Sequence, residues 1–356
     1  MVKTKRLSKS TRNNAITYAL VIVVYFVMEI MSGLGMLSNS LRGQLVPICT
    51  YIILAISLNL TVGILGELSL GHAGFMSVGA FAGAFFSICT VDAIPVTWIR
   101  FPLAILVGGI TAGVFGVIIG IPVLRLQGDY LAIVTLAFGE IIKNLMNSFY
   151  VGYDKNGFHF SLQDSISLGM EADGKVLING AMGITGTPKN ATFLIGFVLI
   201  LITLFIVLNL IKSRTGRAIM SIRDNRIAAE SVGIDVTKYK LIAFSVSAAL
   251  AGIAGVLYAH NFSTLVAKKF DYNMSILILV FVVVGGMGNI RGSIIAATLL
   301  TILPEMLRGL NDYRMLIYAV ILIVMMILNQ NPKMVEWRKN MMAKLPKLQR
   351  KEKEAK

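Results

Sequence analysis

The sequence predicts an all-α, polytopic membrane protein with about 10 transmembrane or re-entrant helices in two weakly repeated halves. Three observations carry this expectation. Of 356 residues, 56% are hydrophobic and only 14% charged, with mean hydropathy +0.77, whereas a soluble domain carries roughly 25% charged residues. Apolar runs of membrane-spanning length recur along the whole chain. The basic residues behind the net charge of +15 gather in three places rather than over one face: Lys3, Lys5, Arg6, Lys9 and Arg12, then the loop 212–240, then 333–356. That clustering is the positive-inside pattern of a multi-pass protein, and it excludes nucleic acid as the partner that explains the charge.

Each span needs about 20 mostly apolar residues. The runs 15–33, 45–63, 70–89, 101–123, 130–149, 191–211, 241–260, 274–290, 292–308 and 314–329 qualify. The first follows a basic start but is long enough to span and lacks a small-residue cleavage site, so it is expected as a retained helix rather than a signal peptide. Ten passes put both termini on one side, and charge makes that side cytoplasmic. The same orientation places 212–240 inside, with seven Lys/Arg against three acids, and leaves 150–190 outside. Residues 1–330 thus form a transmembrane domain. Residues 331–356 form a basic cytoplasmic tail, whose nine Lys/Arg suit anionic membrane lipid. Cys49 and Cys89 lie within or at the end of apolar runs and imply neither a disulfide nor a metal site.

Two of these runs are unusual in their glycines. Gly63, Gly66, Gly71, Gly74, Gly79 and Gly83 surround Glu67, Ser69 and His72, while Gly285, Gly286, Gly288 and Gly292 surround Asn289, Arg291 and Ser293. Glycine here means either tight helix packing or a helix break, and non-helical backbone persists in lipid only where protein or water covers it. The polar residues at depth favour breaks. The clusters sit at comparable places in the two halves, which points to a transporter's midplane site. Half-helix N-termini at such breaks would offer free N–H groups and positive dipole ends to a carboxylate.

Polar side chains at depth are functional candidates, and Ser69, His72, Glu140 and Asn289 are the residues expected along a translocation path. Each has a structural alternative: an interhelical hydrogen bond for His72, a buried pair with Lys143 or Arg125 for Glu140. Asn59 reads as interhelical glue and Glu305, after Pro304, as structural. His159 and His260 fall near or beyond the membrane edges with no evident partner.

The polar run from Ile222 to Ile234 has the grammar of a short helix in the largest basic loop. Asp224 or Asn225 can cap its start, Ala228 and Ala229 favour helix, Arg226 and Glu230 are spaced to pair, and Gly233 suits a left-handed stop. Ile227, Ala228 and Val232 offer a small apolar face ringed by charge. Such a helix either rests on lipid headgroups or docks into a soluble motor subunit. The chain carries no phosphate loop, nucleophile elbow, zinc-spaced His/Glu set or dinucleotide fingerprint. No catalytic residue, no cofactor and no metal are therefore expected.

Ala228-Ala229 followed by Gly233 in a basic loop resembles the Glu-Ala-Ala-type loop of ABC importer permeases. Gly66-Glu67-Leu68-Ser69-Leu70-Gly71-His72-Ala73-Gly74-Phe75 is similar to the Gly-Gln-x-Ser-Leu-Gly-His-Ala-x-Phe signature of the LivM-type branched-chain amino acid permeases. Further blocks of that family are matched by Leu124 to Ile141, Gly216 to Asn225, Phe244 to Gly255 and Val284 to Glu305, so the resemblance covers roughly 45–330 in order. Glu67 stands where Gln is usual, Gln127 where a second basic residue is common, and Gly180 to Gly186 replaces the outer loop's usual start.

The resemblance implies a permease subunit with no enzymatic activity of its own. It also implies a homologous second permease, two ATP-binding cassette subunits and an extracytoplasmic substrate-binding protein, in a bacterial or archaeal plasma membrane. The coupling residues it implies are Asp224, Asn225, Arg226, Ala228, Ala229, Glu230 and Gly233. Alternatives are a permease for urea or short amides, an ion-coupled secondary transporter and a passive channel.

Overall fold

Helices occupy every stretch where a span is expected. The computed structural model describes residues 9–330 except 37, 127, 156 and 171–173, so the expected tail 331–356 and Lys3, Lys5, Arg6 and Gln127 lie outside the described residues. Twelve α-helices follow in order: α1 (Lys9–Gly33), α2 (Asn39–Asn59), α3 (His72–Cys89), α4 (Thr97–Val123), α5 (Asp129–Asn147), α6 (Phe193–Lys212), α7 (Arg214–Asp224), α8 (Arg226–Ser231), α9 (Val236–Ala259), α10 (Tyr272–Gly285), α11 (Ile290–Met306) and α12 (Arg314–Gln330). Among the described residues seven helical segments are long and apolar enough to cross a membrane, from α1, α2, α3, α4, α6, α9 and α11. The protein is thus a multi-pass helical membrane protein. α5 carries Asp129, Glu140 and Lys143 in 19 residues. α10 has only 14 residues, about 21 Å at 1.5 Å each, less than the ~30 Å hydrocarbon core. The run 274–308 is therefore a short helix and a span-length one parted by a break, not the two clean passes expected.

The described residues fall into two compact units, divided between Leu299 and Leu300. In the second, a 3-10 run (Leu307–Tyr313) leads into α12, and Glu305 accepts from the Arg308 guanidinium at 3.3 Å, the structural role its position suggests.

The first unit is organised around α9, which packs on α2, α3 and α4. On α4 every fourth residue from Ala104 (Gly108, Ala112, Gly116, Gly120) is small and buried, a stripe that lets backbones touch. α9 answers with Gly252 and Gly255: a Cβ on Gly79 of α3 would overlap the Gly252 backbone, and one on Gly252 would overlap Gly108 of α4. Large apolar residues face outward instead, among them Leu106, Ile110 and Ile118 of α4 and Phe205 of α6. That inversion of the soluble pattern suits lipid as solvent.

The segment 150–190 is not the plain loop expected of it. β1 (Tyr150–Asp154), β2 (Gly157–Ser161), β3 (Lys175–Asn179) and β4 (Ile184–Thr185) join β5 (Thr264–Leu265) in an antiparallel sheet of order β2-β1-β3-β4-β5. The signal was present: Asn156-Gly157 is a hairpin dipeptide, flanked by the alternation Tyr150-Val151-Gly152-Tyr153 and Phe158-His159-Phe160. His159, read as unpartnered, pairs its Nε2 with the buried Asp154 carboxylate at 3.0 Å. His260, also read as unpartnered, is fully buried. Its Nδ1 meets the Val256 carbonyl at 2.9 Å, and its ring lies 4.7 Å from that of Phe101. α6 and α9 each run between this sheet and the α7–α8 segment, so sheet and α8 stand at opposite ends of two span-length helices.

The Gly79–Gly252 contact leaves no room for a side chain. Gly252→Val is expected to lower the stability of the detergent-purified protein by about 1–3 kcal/mol, the usual range for overpacking. Unfolding curves matching wild type would show that the backbones of α3 and α9 do not meet here.

Candidate functional site

The site is built where α6 ends. Ser213 caps α7 by accepting from the Gly216 N–H at 3.1 Å, and α7 turns Gly216, Ile219 and Ile222 inward. Of the two possible caps for α8, Asn225 takes the role, its Oδ1 accepting from the Ala228 N–H at 3.0 Å. Asp224 ends α7 and pairs with Arg223 instead. Arg226 donates to Glu230 at 3.0 Å, across one helical turn.

At the other end Gly233 adopts φ +83°. Its N–H donates to the Glu230 carbonyl at 3.0 Å and the Ile234 N–H to the Ala229 carbonyl at 3.1 Å, the paired bonds of a Schellman stop. Ala229 is buried against Ile222 and Val236, whereas Ile227 and Val232 are 80% and 74% exposed. One alanine therefore holds the helix down and two large apolar side chains point away. Of the seven residues expected for coupling, Asn225, Arg226, Ala228, Ala229, Glu230 and Gly233 belong to α8 and its caps, and Asp224 ends α7.

Both glycine clusters break helices. α2 runs on as a π-helical turn, Leu60–Leu65, which stops at Gly66 with φ +83°. The chain is then non-helical until α3 begins at His72. Between α10 and α11, Gly286 and Gly288 have φ +93° and +78°.

The two breaks meet. Asn59 accepts from the Gly288 N–H at 2.8 Å and donates to Ser293 Oγ at 2.8 Å, and a Cβ on Gly63 would overlap the Gly288 backbone. Asn59 is the interhelical glue its position suggests. Two charged residues from the α7–α9 region reach the first break. Arg223 Nη1 donates to the Gly63 carbonyl at 3.1 Å, and the buried Lys240 ammonium pairs with Glu67.

The four path candidates do not form one cluster. Ser69 is buried, and its hydroxyl has no hydrogen-bond partner among the described residues. His72 is buried with Nε2 2.7 Å from Ser57 Oγ, a bond between α3 and α2. Asn289 lies exposed at the second break, its main-chain carbonyl accepting from the Ser293 N–H at 3.1 Å. Glu140 stands apart, paired with Lys143 and accepting from the Tyr272 N–H at 3.2 Å at the start of α10.

The expectation of open N–H groups at the α3 terminus is corrected. The Ala73 N–H donates to Ser275 Oγ at 3.1 Å, that of Gly74 to the Gly71 carbonyl at 3.0 Å and that of Leu70 to Thr135 Oγ1 at 3.0 Å. Hydroxyls from α5 and α10 thus engage one N–H just before α3 and one in its first turn.

In the sequence Arg223 and Lys240 stand out only as members of the basic 212–240 loop, and Glu67 only as a polar residue of the first glycine cluster and a departure from the family signature. A carboxylate at the end of a buried apolar run needs a counter-charge, and Lys240, at the start of another such run, was the signal for it.

Span-length helices with apolar outer faces, two crossed helix breaks and a capped helix between α6 and α9 are the architecture of a multi-pass membrane permease. Residues 40–328 match the family described as branched-chain amino acid transport system, permease component, and the chain belongs to that family. It is 36% identical over 288 residues to the high-affinity branched-chain amino acid transport system permease protein LivM of Salmonella typhimurium, covering 78% of this chain and 66% of that protein. Against the LivM protein of Escherichia coli K12 it is 35% identical over 287 residues, with the same coverage. A more distant relative is the nucleoside ABC transporter permease protein NupC of Lactococcus lactis, 24% identical over 212 residues, 56% of this chain and 60% of that one. The chain thus spans slightly less than two thirds of the length of either LivM protein. No solved structure matches the chain.

Glu67→Gln leaves Lys240 buried without its counter-charge and is expected to cost about 3–5 kcal/mol, while the double change with Lys240→Met recovers most of it. Unfolding of the purified variants in detergent checks this. A single E67Q variant as stable as wild type would show that the pair contributes nothing.

Proposed function

We propose that this chain is the transmembrane permease subunit of an ATP-driven importer of branched-chain or related amino acids delivered by an extracytoplasmic binding protein. The observation that carries the reading is α8, capped at both ends, held by Ala229 and presenting Ile227 and Val232 outward. A six-residue helix gains little by propensity alone, and exposed apolar anchors ringed by charge are the composition of a docking plug. The chain has no phosphate loop, so hydrolysis falls to two ATP-binding cassette subunits and the chain itself is not an enzyme. A homologous second permease completes the pathway.

The membrane is a bacterial or archaeal plasma membrane with both termini and the 212–240 loop cytoplasmic, which the basic clusters support. Residues 1–330 are the permease domain and 331–356 its basic tail. The names of the Salmonella and Escherichia relatives support the substrate class. Coupling falls to Asp224, Asn225, Arg226, Ala228, Ala229, Glu230 and Gly233.

Ser69 and Asn289 are the better supported of the path residues, one by a buried hydroxyl with no partner among the described residues and the other by exposure at a break. His72 and Glu140 serve the path through the elements they hold. An ion-coupled carrier would need a carboxylate free to bind its ion. Glu140 is engaged by Lys143 and the Tyr272 N–H, which favours the ATP-driven reading.

The double variant Ile227→Asp/Val232→Asp, on an exposed face, is expected to fold within about 0.5 kcal/mol of wild type. It should lose co-purifying ATPase subunits, with uptake down about tenfold or more, as loss of interface anchors worth about 2 kcal/mol implies. Concentrative uptake driven by an ion gradient in cells without the ATPase subunit would sink the reading. For the substrate, calorimetry of the binding protein against leucine, isoleucine, valine and urea decides. Heat only with urea would replace the amino acid assignment.

A further inference from the structure

We propose that Arg223 is the transmission residue of this permease: it ties the docking helix to the crossing of the two helix breaks, so that displacement of α8 moves that crossing and gates the pathway. This rests on the ATP-driven reading above and goes beyond it by naming the link and the moving part.

Arg223 is separated from the Asn225 cap of α8 by one residue. Its guanidinium faces two ways. Nε and Nη2 donate to Asp224 Oδ1 at 3.1 and 2.8 Å, while Nη1 donates to the Gly63 carbonyl at 3.1 Å. A guanidinium is a rigid planar fork, and with one side held by Asp224 and another by Gly63 it passes movement of the α7–α8 junction to the π turn. The aliphatic stem of Arg223 lies against Gly66, where a Cβ would strike its Cγ, so the side chain bridges the break from its last π residues to its stop.

The receiving element is a π-helical turn, a form that recurs at functional sites because it leaves the regular hydrogen-bond ladder. Apolar packing runs in parallel with the arginine. Ala229 of α8 packs with Ile222 and Val236, and Ile219, one turn back on α7, packs with Leu60, Ile64, Leu65 and Ala243. Tyr239 lies against both clusters. On the far side of the break, the Glu67–Lys240 pair holds the chain to α9.

At Gly63 the motion has nowhere to dissipate. Gly63 meets Gly288 backbone to backbone, and Asn59, one turn before Gly63, holds both the Gly288 N–H and Ser293 of α11. Contacts between backbones do not absorb displacement by changing rotamer. Shifting the π turn therefore shifts the second break.

The test uses the complete transporter purified with its partner subunits and reconstituted in liposomes, comparing wild type, Arg223→Gln and Arg223→Lys. Hydrogen–deuterium exchange is followed in peptides covering 60–71 and 226–233, nucleotide-free and after trapping with ATP and vanadate, alongside ATP hydrolysis and leucine uptake. In wild type, trapping changes exchange in both segments. In R223Q the ATPase subunits stay bound, hydrolysis stays within about twofold and the change at 226–233 persists. The change at 60–71 is lost and uptake falls about tenfold, with R223K between.

An R223Q transporter whose 60–71 segment still responds and whose uptake is normal overturns the proposal. So does one that sheds its ATPase subunits, since Arg223 would then serve docking. Should the R223Q permease itself fail to fold or reach the membrane, R223K, which keeps the charge and loses the fork, carries the same exchange comparison. The Ile227→Asp/Val232→Asp variant separates the two levels. If it too keeps its ATPase subunits and full uptake, the docking reading itself has failed; if it loses both while R223Q behaves as wild type, only the role of Arg223 has.

Discussion

Asn59 lies where two interruptions of helix press against each other, and the arrangement around it depends on what its amide can do. Inside a bilayer an unmet backbone N–H or carbonyl costs several kcal/mol, so a broken helix survives only where other groups supply partners. One amide oxygen takes the Gly288 N–H, and the amide nitrogen holds Ser293. The Gly63 carbonyl, opened by the π turn, takes the Arg223 guanidinium. With no side chain between Gly63 and Gly288, neither break can be repaired or shifted alone.

The remainder of the first unit holds that crossing in place by close packing of backbones. The small stripe on α4 and the glycines of α9 bring α3, α4 and α9 together closely enough that α9 acts as a post. Its first turns carry Lys240, which holds the first break through Glu67; further along, Ser247 donates to the Ser57 carbonyl at 2.6 Å. Its last residues lead into the five-stranded sheet. α8, by contrast, is attached through a small apolar contact at Ala229 and the junction at Arg223. A rigid post beside a lightly attached helix is what a device that must move one part against another requires.

Much of this was legible in the sequence because membranes restrict the choices. Hydropathy located the helices, basic clusters marked the 212–240 loop, and the cap residues of α8 together with Gly233 announced a helix and its stop. The glycine clusters announced breaks because polar residues stood among them. What stayed hidden was pairing between distant positions. Nothing local to Arg223 says that it reaches Gly63, 160 residues away in sequence, since a basic residue in a basic loop has its own sufficient reason to be there.

The hydroxyls of Thr135 and Ser275, which accept from Leu70 before α3 and Ala73 in its first turn, are similarly silent, as Ser and Thr are common in membrane helices. The sheet was missed for a different reason. Its hairpin signal was readable, but attention to spans treats everything between them as loop. The four-residue repeat from Ala104 to Gly120 was equally open to inspection.

The sheet carries a consequence for how the protein is made. β4 ends at Thr185 and its neighbour β5 begins at Thr264, so α6, α7, α8 and α9 all lie between two strands that must lie side by side. A ribosome delivers the hairpin of β1 and β2 early, yet the free edge of β4 stays uncovered until four more helices have been threaded. An open strand edge is the part of a protein most prone to pair with the wrong chain. Covering the edge of β4 late makes the sheet a record of how far insertion has gone: the last strand can arrive only after α6 and α9 have been placed between its end of the bundle and that of α8.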